Sequence, residues 1–405
     1  MSKQEQNVRL FPNLIQAVTS ALQSIFTEHY YADKVIQQVL KSNPKWGSRD
    51  RAFIAESVYE IVRWYRLLYT IYGKEARSEA DWWRLFGIYW IIRGGSLPNW
   101  KEFSGLDAEV IRKKQREIHG ERKIRESIPD WLDARGNQEL GAAWEPSIRA
   151  LNKPADVILR VNTLKTDLVQ VKDALAKSGI ATRGMGEDKL LVTERRNLFA
   201  TSAFKSGWFE IQDYSSQQVA PFLQVEPGMQ VIDACAGGGG KTLHLATLMQ
   251  NKGRVLAMDT AEWKLKELKK RARRNGIHIV ETRTITGSKV IKRLHNKADR
   301  LLLDVPCSGL GVLRRNPDAK WKLSEEFIES IREEQAAILD QYSRMLKPGG
   351  LMVYATCSIL PSENRQQVDR FLETHPNFVL EEERSILPQD EGFDGFYMAR
   401  LKLMV

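Results

Sequence analysis

The sequence predicts a multidomain protein with an all-α N-terminal domain, a small α+β connecting domain and a Rossmann-like α/β C-terminal domain. Apolar residues recur at helical spacing from about residue 14 to 149, and short β-rich runs begin near residue 154. After Gly228 strands alternate with helices, which is typical of a mostly parallel sheet with helices on both faces. For 405 residues two or three domains are expected. We place them at residues 1–145, 146–222 and 223–405.

The composition indicates a globular protein with a polyanionic partner. The chain is 42% hydrophobic, carries a net charge of +10 and contains no stretch near the roughly 20 apolar residues that span a bilayer. The polar start at Met1–Glu5 also lacks the apolar run of a signal peptide. We therefore expect a cytoplasmic protein that binds no membrane. Basic side chains that meet phosphates release counterions, which favours a nucleic acid partner, although charge alone does not decide this.

In the N-terminal region six apolar residues recur three and four positions apart, which predicts one buried helix face. They are Ile54, Val58, Ile61, Val62, Tyr65 and Leu68. Ser48 is expected to cap the N-terminus of that helix. Five tryptophans of this region are expected in the core: Trp64, Trp82, Trp83, Trp90 and Trp100. The charged run from Arg112 to Glu126 is interpreted as a solvated helix face, with RNA contact as the alternative.

The connecting domain contains predicted strands at residues 157–161 and 190–192. The C-terminal domain contains five, at residues 230–233, 254–259, 277–282, 300–304 and 351–356. In such a sheet ligands bind at the carboxyl ends of the strands, and Cys235, Cys307 and Cys357 all fall at or just after such ends. None belongs to a CxxC pair or a Cys/His cluster, so we expect no metal site and no disulfide framework. The alternative for each cysteine is a small buried apolar residue.

A glycine-rich turn follows the first of these five strands, in the run from Asp233 to Thr242. It is not a Walker A loop, because Cys235 stands where the first glycine should be, and it does not satisfy GxGxxG. A glycine turn still lets the backbone approach a ligand closely, and Asp259 at the end of the next strand can bind ribose hydroxyls. The combination suits a nucleoside without phosphates, such as S-adenosylmethionine (SAM). A purely structural turn is the alternative.

Two further motifs carry one cysteine each. Asp304-Val-Pro-Cys-Ser-Gly309 follows one apolar strand, and Tyr354-Ala-Thr-Cys-Ser358 closes another. With them the sequence resembles the RNA cytosine-C5 methyltransferase family, whose members carry a PCSG motif and a TCS motif. The resemblance implies a class I methyltransferase fold for the C-terminal domain. Further matching stretches are Arg160–Leu164, Gln212–Gln217, Arg314–Asp318, Lys320–Trp321, Glu363–Asn364 and Asp394–Phe396.

The resemblance implies roles for the residues of these motifs. Cys357 would be the nucleophile that adds to carbon 6 of cytosine and so activates carbon 5 toward the methyl group of SAM. Cysteine suits this step, because part of it is thiolate at pH 7 and sulfur is strongly nucleophilic. Cys307 would assist proton removal or product release, and Asp304 would bind the N3 and N4 edge of the base. The implied cofactor-binding residues are Cys235, Ala236, Gly237, Gly238, Gly239, Gly240, Lys241, Asp259 and Asp304.

Ser48–Phe53 and Ser127–Leu132 resemble the antitermination-factor-type (NusB-like) helical domain that precedes the catalytic domain in some bacterial members. Those members methylate small-subunit ribosomal RNA, so the resemblance implies 16S rRNA as the partner and an RNA-binding helical domain. Transfer RNA and 23S rRNA are alternative substrates. A non-catalytic RNA-binding or assembly factor and a SAM enzyme acting on DNA or protein are alternative functions. The sequence indicates no oligomeric state.

Two positions depart from the family pattern. Relatives usually read Ala-Pro-Gly-Gly-Lys where this chain has four glycines before Lys241, so we expect a more mobile loop before ligand binds. Relatives also carry an aspartate on the adenine side where this chain has Ile285. Adenine contact is then expected from backbone or apolar packing.

Two basic stretches could contact phosphate or solvent. Arg314 and Arg315, just beyond the PCSG motif, are interpreted as phosphate contacts, with solvated charges as the alternative. The run from Lys264 to Arg274 is interpreted as a solvated helix face, except that Lys264 is expected near the cofactor.

Overall fold

The computed structural model describes residues 9–194 and 196–405, so the polar start at Met1–Glu5 lies outside the described residues. Contacts divide the chain into two compact units. The first, called the helical unit, is Met1–Lys153 with Leu313–Glu325. The second, called the sheet unit, is Pro154–Val312 with Glu326–Val405. The three domain boundaries predicted from the sequence stay a prediction.

The α-helices are α1 (Pro12–Thr27), α2 (Ala32–Ser42), α3 (Ser48–Arg63), α4 (Tyr65–Tyr72), α5 (Glu79–Ile92), α6 (Ala108–Glu117), α7 (Arg122–Arg125), α8 (Asp130–Leu140), α9 (Trp144–Leu151), α10 (Leu168–Lys177), α11 (Ser202–Lys205), α12 (Tyr214–Phe222), α13 (Gly240–Leu248), α14 (Glu262–Asn275), α15 (Ser288–Lys292), α16 (Ala319–Lys322), α17 (Glu325–Ser343), α18 (Arg365–Thr374) and α19 (Pro388–Glu391). The strands are β1 (Val157–Val161), β2 (Thr182–Gly184), β3 (Lys189–Val192), β4 (Phe209–Ile211), β5 (Gln230–Asp233), β6 (Arg254–Asp259), β7 (Val280–Thr284), β8 (Ala298–Asp304), β9 (Leu346–Thr356), β10 (Phe378–Ile386) and β11 (Phe396–Leu403).

The helical unit contains no strand among its described residues, as its periodicity predicts. The six residues of the predicted apolar face are all buried in one core. Trp82 and Trp83 are buried in the same core, whereas Trp64, Trp90 and Trp100 pack half-buried against it. The apolar pattern and the tryptophans therefore supply the core of this unit.

The start of α3 differs from the prediction. Ser48 is the first helical residue, and Gly47 occupies the cap position in an extended conformation. The Asp50 carboxylate accepts a hydrogen bond from the Gly47 N–H at 3.1 Å. The carboxylate one turn into the helix thus replaces the predicted serine cap.

The segment Leu313–Glu325 comes late in the sequence but packs in the helical unit. The buried Arg63 guanidinium donates to the carbonyl oxygens of Leu313 at 3.4 Å and Arg314 at 3.0 Å. The Lys320 ammonium is 1% exposed and donates to the Arg63 carbonyl at 2.8 Å. Arg314 is itself buried, so the predicted phosphate contact is wrong for this residue.

The first part of the sheet unit is a four-stranded antiparallel sheet in the order β2-β3-β1-β4. Side chains of α10 and α11 share its apolar core. β1 lies where it was predicted, and β3 begins one residue before the predicted run. β2 and β4 were not predicted, because three residues are too few to show an alternating pattern.

The second part is a seven-stranded sheet in the order β10-β11-β9-β8-β5-β6-β7. β5 to β9 are parallel, as predicted, and β11 joins β9 antiparallel. β7 runs from Val280 to Thr284, a few residues later than predicted, and β9 begins at Leu346, five residues before the predicted strand. The strand order reverses at β5, and ligands of such sheets bind at this reversal, at the carboxyl ends of the strands. None of the described helices is long and apolar enough to cross a membrane.

Candidate active site

The glycine turn connects β5 to α13 at the point where the strand order reverses. Gly237 and Gly239 have φ angles of +53° and +87°, in the left-handed region that favours glycine. A Cβ atom on Gly239 would also lie 2.5 Å from Leu268 Cγ. The Asp259 carboxylate accepts hydrogen bonds from the N–H groups of Gly237 at 2.9 Å and Ala261 at 2.8 Å. The turn is therefore tied to the carboxyl end of β6.

Two arginines hold the carbonyl groups of the turn. The Arg271 guanidinium donates to the Gly238 carbonyl at 2.5 Å, and the Arg160 guanidinium donates to the Gly240 carbonyl at 2.9 Å. Burial lowers the pKa of Arg160 to about 10, which leaves it charged at neutral pH. The turn lacks the proline of relatives, but its backbone is hydrogen-bonded at several points.

The buried carboxylate of Glu210 anchors Arg271. It accepts hydrogen bonds from Arg271 at 2.8 Å, from Asn275 at 2.5 Å and from Arg274. Burial favours a higher pKa for Glu210, but the two guanidinium groups outweigh it and the pKa is lowered. The predicted solvated helix face is therefore wrong for Arg271 and Arg274.

A cavity of about 250 Å³ opens at the carboxyl ends of β5 and β6. Its lining combines apolar side chains, one carboxylate from β6 and polar side chains from α17: Ala234, Cys235, Asp259, Thr260, Lys264, Ile285, Pro306, Glu334, Ala337, Ile338, Gln341 and Tyr342. Lys264 lies 3.9 Å from Asp259 and lines the same cavity, and its place near the cofactor stays a prediction. The polar residues Glu334 and Gln341 were not predicted, because α17 carries no recognisable motif.

Lys241 and Asp304 join the glycine turn to β8. The Lys241 ammonium lies 2.6 Å from the Asp304 carboxylate and 4.9 Å from the centroid of the Phe396 ring. Only one Asp304 oxygen takes part in this ion pair, so the other retains its acceptor capacity.

The cysteines of the two motifs face each other. Their Sγ atoms are 3.3 Å apart, at the ends of the neighbouring parallel strands β8 and β9. The contact with Cys357, together with burial, raises the pKa of Cys307 well above its usual value. Cys235 instead lines the cavity, and burial raises the pKa of its thiol well above normal.

A fully buried carboxylate, Glu363, fixes the two cysteine loops. It accepts hydrogen bonds from the Ser308 N–H at 2.8 Å, the Ser308 hydroxyl at 2.5 Å and the Ser358 hydroxyl at 2.5 Å. The Gln335 amide of α17 donates a fourth at 3.0 Å. Ser308 and Ser358 directly follow the two cysteines, so one side chain sets the positions of both thiols. Glu363 belongs to a stretch that resembles the family, but this role was not predicted from the sequence.

This arrangement defines the class of protein. A glycine turn follows the first parallel strand, a carboxylate ends the second, and a cavity lined by apolar and polar side chains opens at their carboxyl ends. This is the fold and site of a class I SAM-dependent methyltransferase. The cavity suits SAM, because apolar walls can pack against adenine and Asp259 keeps free lone pairs for ribose hydroxyls.

Comparisons with known proteins identify the family. The family model for 16S rRNA methyltransferase RsmB/F matches residues 220–402, and the RsmF/B-like ferredoxin-like domain matches residues 128–194. The chain is 32% identical to a probable ribosomal RNA small subunit methyltransferase B of Synechocystis, over 94% of this chain and 97% of that protein. It is 34% identical to ribosomal RNA small subunit methyltransferase B of Vibrio cholerae, over 87% and 89%. The chain therefore belongs to the RsmB/F family of SAM-dependent methyltransferases.

Solved structures show the same fold. The crystal structure of PH0851 superposes with a TM-score of 0.83 at 25% identity and covers 98% of this chain and 100% of that chain. NSun6 from Pyrococcus horikoshii, solved with the SAM analogue SFG, gives a TM-score of 0.64 at 21% identity, over 68% of this chain and 98% of its own.

Replacing Glu363 by glutamine tests its role in positioning the thiols. A glutamine can keep its oxygen toward the Ser308 N–H and the Gln335 amide, but its nitrogen then replaces the oxygen that accepts from both serine hydroxyls. Because the charged acceptor is lost, we expect the free energy of unfolding to fall by about 1–3 kcal/mol. Because the loops then lose their common anchor, the alkylation rates of Cys307 and Cys357 should also change. Unfolding in urea and mass spectrometry of alkylated peptides measure the two effects. The surface variant Glu373→Gln is the control, and equal behaviour of both variants would contradict the role.

Asp233 predicts a pH dependence of stability. It is buried, and one oxygen accepts a hydrogen bond from the Thr242 hydroxyl at 2.6 Å. Burial outweighs this bond and raises the pKa of Asp233 to about 7. In the unfolded chain Asp233 ionises at a lower pH than in the folded protein. The contribution of Asp233 to the free energy of unfolding is therefore highest at low pH and falls as the pH rises toward 7. The asparagine of Asp233→Asn does not titrate. The difference in free energy of unfolding between this variant and wild type should therefore shift in favour of the variant by about 1–4 kcal/mol from pH 5 to pH 8.

Urea unfolding at the two pH values measures this gain. The matched control is Asp173→Asn on the exposed face of α10. A difference from wild type that stays constant with pH would refute the raised pKa.

Proposed function

We propose that this protein transfers a methyl group from SAM to carbon 5 of a cytosine in 16S rRNA through a covalent adduct with Cys357. The observation that carries the proposal is the pair of motif thiols, 3.3 Å apart beside the Lys241–Asp304 ion pair. The family supports an RNA methyltransferase, and the resemblance supports cytosine as its base.

Carbon 5 of cytosine is too weak a nucleophile to attack a methyl group unaided. The reaction therefore requires an enzyme nucleophile that adds to carbon 6 first. The Cys357 thiolate forms a bond to carbon 6 and moves an electron pair toward carbon 5. SAM supplies an electrophilic methyl group when it is bound. The carbon 5 proton is then removed, and the Cys357–C6 bond breaks with return of its electron pair to sulfur. The C5–CH3 bond would form as the S–CH3 bond of bound SAM breaks, so the products would be 5-methylcytosine, S-adenosylhomocysteine, the proton from carbon 5 and the regenerated Cys357 thiolate.

The two thiols take different parts. The raised pKa of Cys307 keeps its thiol protonated at neutral pH, so in this scheme Cys307 is the donor of the S–H···S hydrogen bond and Cys357 Sγ is the acceptor. Once Cys357 is bonded to carbon, the largest cause of that raised pKa is gone. Cys307 can then lose its proton to solvent and accept the proton from carbon 5.

Asp304 holds the base in this scheme. Its free carboxylate oxygen accepts from the amino group of cytosine, while Lys241 fixes the other oxygen at 2.6 Å. The base must leave its stack to reach this position, which costs a few kcal/mol, and covalent capture offsets that cost.

The cofactor residues are those of the turn and the cavity. Asp259 binds the ribose hydroxyls, and Cys235, Ala236 and the four glycines bring the backbone close to the ligand. With Ile285 in place of an aspartate, the adenine packs against apolar walls. Glu334 and Gln341 provide the polar side chains that line the same cavity.

Asp259→Asn should weaken SAM binding, because the ribose hydroxyls lose a charged acceptor worth about 1.5–3 kcal/mol. Calorimetry with the full chain measures the loss, and Asp173→Asn serves again as the control. If the wild-type protein binds no SAM at millimolar concentration, the proposed methyltransferase activity is contradicted and the non-catalytic alternative is favoured.

The two cysteine variants should differ in kind. Cys357→Ala removes the nucleophile, so we expect no methylation and no covalent RNA complex. Cys307→Ala keeps the nucleophile but impairs release, so protein crosslinked to RNA should accumulate and survive denaturing electrophoresis. Mass spectrometry of 16S rRNA from cells with each variant measures 5-methylcytosine. If Cys357→Ala traps RNA and Cys307→Ala does not, the roles are reversed.

A further inference from the structure

The helical unit contains a cavity of about 640 Å³ that the methyl transfer does not use. Its apolar lining consists of Leu67, Leu68 and Ile92 with the rings of Trp64 and Tyr89. Cavities of roughly this size, with apolar and aromatic walls and a few polar groups, are typical of ligand sites.

The polar atoms of the two rings are satisfied within the protein. The Trp64 indole N–H donates to the Glu60 carboxylate at 3.3 Å, and the Tyr89 hydroxyl accepts from Arg93 at 2.6 Å. The rings therefore offer an occupant apolar and π surface rather than hydrogen bonds. Stacking on such rings is a main source of affinity for unpaired bases.

Basic side chains provide the cations around this surface. Arg93, Arg125 and Arg149 line the cavity, and Arg149 is 61% exposed although it pairs with Glu145 at 2.8 Å. Arg112 is exposed one helical turn before the lining residue Gln115. An arginine that is largely in solvent can turn to a phosphate at little cost.

The carboxylates of the lining are already occupied. Glu60 accepts from Arg63 at 3.1 Å, and buried Glu126 accepts from Arg125 at 3.0 Å and from Asn152 at 3.2 Å. The helical unit has 28 Lys and Arg against 21 Asp and Glu, which gives +7 of the chain's net +10. The net positive charge of the helical unit thus favours an anionic occupant such as RNA over a neutral or basic peptide.

A second cavity, of about 150 Å³, shares Tyr89 and Arg93 with the first. Its lining includes the rings of Phe53 and Trp90. Because they share Tyr89 and Arg93, the two aromatic cavities adjoin each other.

We propose that the larger cavity binds an unpaired nucleotide of RNA, with its base against Trp64 and its phosphate on Arg149, and that the smaller cavity takes the neighbouring base. The proposal rests on the proposed function only in that RNA is the substrate. It gives the helical unit a site for single-stranded RNA, separate from the pocket for the target cytosine.

Anisotropy with a labelled single-stranded octaribonucleotide and the full-length protein tests this. Trp64→Leu keeps an apolar side chain but removes the ring, so affinity should fall roughly 5- to 100-fold, whereas Trp64→Phe should retain most of it. Affinity for an RNA duplex should be unchanged by Trp64→Leu, because its bases are already stacked. Arg149→Gln should make the plot of log affinity against log salt concentration less steep, by about the slope of one phosphate contact.

Matched controls separate the cavity from general effects. Arg49→Gln removes the same charge from an exposed residue of the helical unit, and Trp100→Leu removes a half-buried ring outside the cavity. A folded Trp64→Leu protein with unchanged single-strand affinity, or with an equal loss for duplex RNA, would overturn the proposal. So would a peptide that binds wild type and not Trp64→Leu, with RNA affinity unaltered.

Formation of 5-methylcytosine, measured in parallel, distinguishes the two proposals. If Trp64-dependent binding of single strands occurs without methylation, the proposed reaction fails and the cavity site stands. If methylation occurs and Trp64→Leu binds RNA like wild type, the reaction stands and the cavity site fails.

Discussion

The site depends on one buried interaction, the carboxylate of Glu363 with its four donors. A buried carboxylate without partners would be strongly unfavourable, so the charge requires the two loops and α17 to stay where their donors reach it. Ser308 and Ser358 bring one cysteine loop each, and Gln335 brings the helix. The same contacts that satisfy the charge also hold the sulfur atoms 3.3 Å apart. Stability and the geometry of the thiol pair are therefore linked.

The path of the chain links this interaction to the rest of the molecule. After the PCSG loop the chain enters the helical unit as Leu313–Glu325 and returns to the sheet unit along α17. α17 carries Gln335, which binds Glu363, and also Glu334, Gln341 and Tyr342 of the cofactor cavity. One helix thus contributes both to the wall of the cavity and to the anchor of the cysteine loops. The segment just before it is fixed by Arg63 and by the buried ammonium of Lys320.

Much of this was predictable from local signals. β5 and β6 were predicted to the residue, because short apolar runs end in an aspartate followed by turn residues. β10 and β11 were not predicted. β10 is largely exposed and carries the charged run at residues 381–384, whereas β11 is almost entirely buried, so that reason does not apply to it. The role of Glu363 could not be predicted, because its partners Gln335 and Ser308 lie 28 and 55 residues away. Arg314 follows a catalytic motif, which favoured a phosphate contact, but the helical unit buries it.

The glycine turn shows how magnitudes decide between opposing effects. Four successive glycines raise the entropy of the unbound loop, and each can weaken an ordered segment by roughly 0.5–1 kcal/mol. Hydrogen bonds to charged donors contribute about 1.5–3 kcal/mol each, and the turn accepts two, from Arg271 and Arg160. Asp259 adds a bond to the Gly237 N–H. These contacts are large enough to offset the lost proline, because Glu210 holds Arg271 in place and burial restricts Arg160. Charged side chains from β1, β4 and α14 thus order a glycine turn that contains no proline.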